Sequence, residues 1–506
     1  MTRLHKSLTG IEAREAYFKG ADSVAKIVRE SIGPFGLNLA MEKGKKTTND
    51  GFLISRELSA AIPDEFERQG ALLQHEASSK TNDKVADATS TTIALTSEIR
   101  KEIIKHLPTK IKFVSTKSVT QLEQELKKER EFVLEELKKD IKTIDSKEEL
   151  INSARVSVED EDLAQLIGGV QWDFGADGRI VPEEVNEDES SVEITSGILV
   201  DNGFVSSLMI NNEQEQALEV SNGKILLTNY TIGEKEFPAL SNLIQLLAST
   251  GENKLVIMAR AFTQESIKIL MGLRQSGFEC YPVNAPYTDQ AQVMKDIEAV
   301  TNAIYLDQDI ATWDDVSLSN LGEFSKIKMR IMGGIITGKV DKPEKVEARI
   351  KQLEDTLSAE KSFFYKRKLE ERIADLRGKK ALLKIGGYVQ DDRARLKDKA
   401  DDAVVSVRLA LKGGTVKGAG LAFKEIADKL DDKSLLKRPL QVVYNQIMTS
   451  APEGFKIEDW VRDPYITLET ALINACESAI SMARINGSVV QRDQRPKDQS
   501  YEDETN

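Results

Sequence analysis

The sequence predicts a multidomain α+β protein whose mostly helical first and last parts enclose an α/β insert. Three observations predict it. Residues 8–32, 64–105 and 118–142 carry apolar side chains at helical spacing. Helical patterns return at 399–412, 418–431, 436–449 and 467–485. Between these ends, residues 196–340 alternate short apolar strands, such as 224–227 and 254–258, with helices such as 264–274. Such alternation is the pattern of an α/β domain.

Taken in order, the first helix ends at the glycine-rich break Gly33-Pro34-Phe35-Gly36. An apolar stretch, 37–41, then runs into the charged turn Glu42-Lys43-Gly44-Lys45-Lys46, which closes a hairpin. A second turn follows at Asn49-Asp50-Gly51. The helical tract 64–105 is interrupted by the small-polar segment 86–92. In 118–142, Leu122, Leu126, Val133, Leu137 and Ile141 share one face. From 145 to 195 the texture is acidic and mixed, with a turn at Asp177-Gly178. Val346, Ile350, Leu353 and Leu357, then Leu369, Ile373 and Leu376, predict an antiparallel helical hairpin over 343–380, packed on its own domain. Gly197 and Gly378 flank the insert as candidate hinges, and the polar tail from Gln491 reads as disordered.

Composition excludes several classes of function. The 506 residues carry 70 basic and 83 acidic side chains, a net charge of −13, which disfavours non-specific nucleic-acid binding. No apolar run approaches the roughly 20 residues of a membrane span, and the first residues show no secretory h-region. The two cysteines, Cys280 and Cys476, make no CxxC pair, and a reducing, cytoplasmic setting is expected. The three histidines have no metal-ligand spacing. Any chemistry therefore rests on carboxylates, hydroxyls and backbone.

Four segments carry such groups. Asp87-Ala88-Thr89-Ser90-Thr91-Thr92 opens an apolar helix; it reads either as a plain N-cap or as an anion site, with Asp87 on Mg²⁺. Ser31 to Asn38 is a glycine loop, Asn49-Asp50-Gly51 sets an acid on a tight turn, and Asp401-Asp402-Ala403 precedes Gly418-Ala419-Gly420. Each taken alone also reads as an ordinary turn or cap. Gly333 to Lys339 fits GxxxxGK, but Val340 lacks the hydroxyl that Mg²⁺ needs, and a turn accounts for it better.

In this order and spacing the segments resemble the group I chaperonins, the GroEL-like family, along nearly the whole chain. Ser31 to Asn38 is similar to that family's TLGPxGxN loop, Asn49-Asp50-Gly51 to its KDG turn, and Asn82 to Thr91 to its NDxxGDGTTT motif. Asp401 to Val404 is similar to its EDAL segment, Gly418-Ala419-Gly420 to its triple glycine, and Arg462-Asp463-Pro464 to its LDP motif.

The resemblance implies a mostly helical equatorial domain, 1–140 and 413–506, and a small intermediate domain, 141–195 and 380–412. It also implies an α/β apical domain, 196–379, with the helical hairpin. It further implies a homo-oligomeric, seven-membered ring that hydrolyses ATP, captures unfolded polypeptides and promotes their folding; a co-chaperonin is a further candidate partner, and K⁺ a further candidate ion. By position, Asp87 coordinates Mg²⁺, with Ala88, Thr89, Ser90 and Thr91 on the phosphates. Asp50 and Asp402 orient the attacking water, and Asp463 meets the ribose. Ser31, Ile32, Gly33, Pro34, Asn49, Gly418 and Ala419 line the nucleotide. Phe204, Leu208 and Met209, with Leu240, Leu243 and Ile244 facing Ile267, Leu270 and Met271, are implied to form an apolar client groove; core packing is the alternative for the same residues.

The sequence departs from the family pattern at several points. Ala86, Ala88 and Ala419 replace glycines, Ser90 a threonine and Asn49 a lysine. No adenine-side YNA motif is visible, Ser241 interrupts the first groove helix, Lys142-Thr143-Ile144 lacks the hinge proline, and the tail lacks Gly-Met repeats. A competing reading is a ring-forming holdase with weak or no ATPase. A metabolic α/β enzyme is disfavoured, because no histidine or cysteine constellation is present.

Overall fold

The computed structural model describes residues 5–41, 46–108, 116–195, 197–339, 343–378 and 380–491. The chain forms two compact units. One comprises Met1–Ala176, Pro182–Ser191 and Leu383–Asn506; the other comprises Asp177–Val181 and Val192–Leu382. The fold is a multidomain arrangement of a helical unit and an α/β insert, as the sequence predicts.

The first unit is helical because its apolar residues recur every three to four positions. Helices Glu65–Val85, Thr89–Ile104, Val119–Lys139 and Tyr465–Ala483 turn these faces inward. Leu95, Ile99, Leu122, Val133, Leu137 and Leu472 are fully buried in one cluster. Ser118 and Gln121 form a capping box at the start of Val119–Lys139, which satisfies donors that the first turn cannot pair internally. Two features fall short of the expected extents: the first helix is Gly10–Arg29 rather than 8–32, and Val119–Lys139 ends before Ile141, which the predicted helix 118–142 included. The strand His5–Thr9 pairs antiparallel with Gly487–Gln491. Leu39–Met41 pairs with Lys46–Thr48, so the hairpin is present, while its turn at 42–45 and the tail beyond Gln491 lie outside the described residues.

The acidic segment 145–195 holds two helices that periodicity alone did not resolve, Lys147–Val158 and Glu161–Phe174. Their signal is capping. Ser146 accepts from the Glu149 N–H and Asp160 from the Leu163 N–H. The acids crowd the first turns, where the helix dipole favours them.

The second unit is built on a six-stranded sheet. Its order is Glu279–Asn284, Lys254–Ala259, Leu218–Leu227, Gly322–Arg330, Gly333–Gly338, Ile198–Val200. The first three strands run parallel, and the rest pair antiparallel. Alternation along the strands feeds two cores. Val256 and Met258 enter one, and Leu255 and Ile257 the other. The helical hairpin is Pro343–Ala359 and Phe363–Leu376. It packs on its own unit, with Val346, Leu353, Leu369 and Ile373 in the first of these cores.

The structure corrects two of the sequence expectations. Gly333–Gly338 is a strand rather than a turn, held between Gly322–Arg330 and Ile198–Val200. Gly197 lies inside the second unit, and a Cβ there would meet the Ile336 carbonyl oxygen at 2.5 Å. Close strand approach accounts for this glycine.

Candidate functional site

The site lies in the first unit and starts from two helix N-termini that abut. Asp50 caps Gly51–Ala61: its carboxylate accepts from the Phe52 N–H at 2.9 Å and the Leu53 N–H at 3.3 Å. Helix Thr89–Ile104 begins at Ala88, whose side chain offers no cap, so the first-turn N–H groups are left for another acceptor. The two starts meet at Gly51, where a Cβ would lie 2.3 Å from the Ser90 hydroxyl. The Thr89 hydroxyl donates to the Asp50 carboxylate at 3.3 Å.

The backbone around Asp87 is unusual for its residues. Ala86 and Ala88 have φ of 54° and 57°, the left-handed region. This double turn ends Glu65–Val85, points the Asp87 carboxylate inward and starts the next helix two residues later. Ala419 repeats the geometry with φ 54°. It follows the strand Thr415–Lys417, which pairs antiparallel with Arg462–Pro464 and sets Val416 opposite Asp463.

Two adjoining cavities, about 450 and about 660 Å³, share Ile32, Gly33, Asp87, Ala88 and Thr91. Both lie in the range of small-molecule sites. The first is lined by Ser31, Asn49, Asp50, Thr89, Ser90 and, from helix Gln390–Gly413, Asp402. The second adds Pro34, Ala419 and Asp463. Gly418 lines neither; its N–H donates to the Val461 carbonyl, behind Asp463.

The electrostatics are those of crowded acids. Burial raises the Asp402 carboxyl well above its usual range, and Asp87 and Asp50 raise it further. Burial likewise raises Asp87, with Asp50 and Glu159 adding to it against a hydrogen bond from the Ala88 N–H. Asp463 is pushed up to about 7 by burial and by Asp87, against the Ala419 N–H and Arg462. Such a cavity favours a cation among the acids and an anion at the uncapped helix start. Among the described residues no group of three or more His, Cys, Asp or Glu is placed to hold a metal by itself. The oxygen donors fit Mg²⁺, which takes one or two carboxylates and completes its shell with water and phosphate.

One wall was not anticipated. Phe455, Ile457, Trp460, Val443, Ile447 and Phe423 add apolar side chains to the lining of the larger cavity, which also holds Asp463. Arg155 stacks on Trp460, 5.2 Å from the ring centroid, and pairs with Glu161. The available signal was a local enrichment of aromatics at 455–460 in an aromatic-poor chain.

In the second unit the expected client groove is corrected. Phe204, Met209, Leu240, Leu243, Ile244 and Leu270 are all buried, at 5, 0, 0, 1, 7 and 0% exposure. Ile267 and Met271 are half-buried against the core. The inward faces of Phe237–Ser249 and Gln264–Gln275 therefore pack on the sheet. Of the nine residues expected there, Leu208 is exposed, at 73%. The outward faces of the two helices present Leu246 and Ile269 instead. Among the described residues no helix is long and apolar enough to cross a membrane.

The model of the TCP-1/cpn60 chaperonin family matches residues 24–451. Among solved structures, the chaperonin gp146 from the bacteriophage EL 2 (Pseudomonas aeruginosa), crystallised in the presence of ATP-BeFx, has the same fold. Its crystal form I matches with a TM-score of 0.69 at 20% identity, covering 96% of this chain and 99% of that one. Crystal form II matches with a TM-score of 0.61 at 18% identity and the same coverage.

Proposed function

The chain belongs to the TCP-1/cpn60 chaperonin family, and from that premise we propose that it is an ATP-dependent chaperonin subunit. It assembles into a ring, captures non-native polypeptides and couples ATP hydrolysis to movement of an apical domain. The domain division proposed is the one expected from the sequence: equatorial 1–140 and 413–506, intermediate 141–195 and 380–412, apical 196–379.

The observation that carries this reading is the convergence of Asp50, Asp87 and Asp402 on the uncapped start of Thr89–Ile104 within one cavity. The N–H groups and hydroxyls of Thr89, Ser90 and Thr91 receive phosphate oxygens at the positive helix end. Asp87 is the carboxylate that holds Mg²⁺, which when bound neutralises charge on the phosphates. Asp50 and Asp402 orient the attacking water. Asp402, which reaches the cavity from helix Gln390–Gly413, is the carboxylate that takes the proton as the water attacks. Asp463 accepts from a ribose hydroxyl, and the wall of Phe455, Ile457 and Trp460 covers the base. Leu208, Leu246 and Ile269 are the apolar contacts offered to clients.

Calorimetry with Mg-ATP tests the nucleotide site. The wild type is expected to bind, and Asp87→Ala to bind at least tenfold more weakly through loss of a metal ligand. Equal affinity in a folded Asp87→Ala protein removes Asp87 from the metal.

A further inference from the structure

The smaller cavity poses a charge problem that the roles above leave open. Among the described residues, seven carboxylates and three cations line it. A nucleotide's phosphate chain entering there adds negative charge beside acids already raised by burial and by neighbouring acids. Asn49, on the same wall, is neutral.

The three cations are not equivalent. Arg56 is 53% exposed and pairs with its neighbour Glu57 at 3.3 Å. Arg395 is 32% exposed and pairs with Asp392, on its own helix, at 3.1 Å. Lys399 is 13% exposed and pairs across to Glu159. Lys399 precedes Asp402 by three residues on Gln390–Gly413, so the two share a face. Glu159 follows Lys147–Val158 with φ 55°, lines both cavities, and its charge acts on Asp87. The Lys399 ammonium is thereby anchored in the cavity lining, on an acid whose charge reaches Asp87, and one turn before Asp402.

We propose that Lys399 is the cation that meets the terminal phosphate of the bound nucleotide, exchanging its contact with Glu159 for a phosphate oxygen. This rests on the nucleotide-site reading above and assigns the group that tells a triphosphate from a diphosphate. A lysine suits that role, being a compact charge on a flexible stem that can leave one oxygen for another without moving its helix. Glu159 holds the ammonium in place while the cavity has no phosphate, so that Lys399 does not pair with Asp402 and displace the water.

The test compares Mg-ATP and Mg-ADP affinities by calorimetry, with thermal unfolding on the same samples. Lys399→Gln is expected to bind Mg-ATP about tenfold more weakly, the worth of one charge-assisted contact, while Mg-ADP binding stays within twofold. Lys399→Arg should restore most of the Mg-ATP affinity. Glu159→Gln should bind Mg-ATP at least as tightly as the wild type, since the competing partner is gone. A merely structural ion pair predicts otherwise: Lys399→Gln and Glu159→Gln would lower thermal stability alike and leave the ATP-to-ADP ratio unchanged. That unchanged ratio in a protein that binds both nucleotides overturns the role of Lys399 and leaves the nucleotide site standing. Should Lys399→Gln fail to fold, the direction of the Glu159→Gln change decides. A wild type that binds neither nucleotide overturns the site reading, and this inference with it.

Discussion

Ala86, Ala88 and Ala419 hold left-handed backbone that an L side chain adopts at a cost of roughly 1–2 kcal/mol each. Glycine removes that cost but loses roughly 0.5–1 kcal/mol more chain entropy on folding. Ala86→Gly is therefore expected to stabilise the protein by about 0.5–1 kcal/mol, read as a raised Tm, and an unchanged or lowered Tm contradicts the strain argument. Asp463 gives a pH prediction. Its pKa rises from 3.8 unfolded to about 7 folded, so the folded state binds the proton more tightly. Stability is highest below the unfolded pKa and is lost as pH climbs through the window from about 4 to about 7. Asp463→Asn should flatten the ligand-free decline of Tm across that window; an undiminished slope shows that Asp463 does not titrate there. The acids of the site were grouped by the family resemblance, since each segment alone also reads as an ordinary turn or cap. The apolar wall at 455–460 was not legible, since hydrophobic side chains in a loop have no period to read.

At the scale of elements, a helical period identifies a face without telling what covers it. Leu240, Leu243 and Ile244 do share a face, and that face is turned onto the sheet. Leu243→Ala should lower stability by about 3 kcal/mol, as for other large-to-small core changes. The outward residues predict the opposite pattern. Leu246→Ser with Ile269→Ser should shift stability by less than about 1 kcal/mol and weaken capture of a denatured client. Normal capture by the double variant removes these helices from client binding. Helices Lys147–Val158 and Glu161–Phe174 show where the period fails and capping succeeds: Ser146 and Asp160, each accepting from the N–H three residues on, were the readable signs.

For the whole molecule, the α/β insert was legible because alternation of strand and helix between helical ends has few other solutions. Its limits were less so, since the chain passes between the two units near residues 177, 182, 192 and 383, and the acidic texture of 145–195 runs across the first three of these crossings. A ring is the expected assembly, and negative-stain images of purified protein should show closed rings of subunits; monodisperse single chains contradict it. The account's central claim is that the carboxylate cavity hydrolyses ATP in service of protein folding. Phosphate release under saturating Mg-ATP, measured on the wild type and on Asp402→Ala, tests it most directly. The account predicts steady turnover by the wild type and a loss of roughly 100-fold or more in the variant, with Mg-ATP binding retained. Wild-type turnover no faster than the Asp402→Ala background would contradict it and leave a chaperonin that holds its clients without driving them.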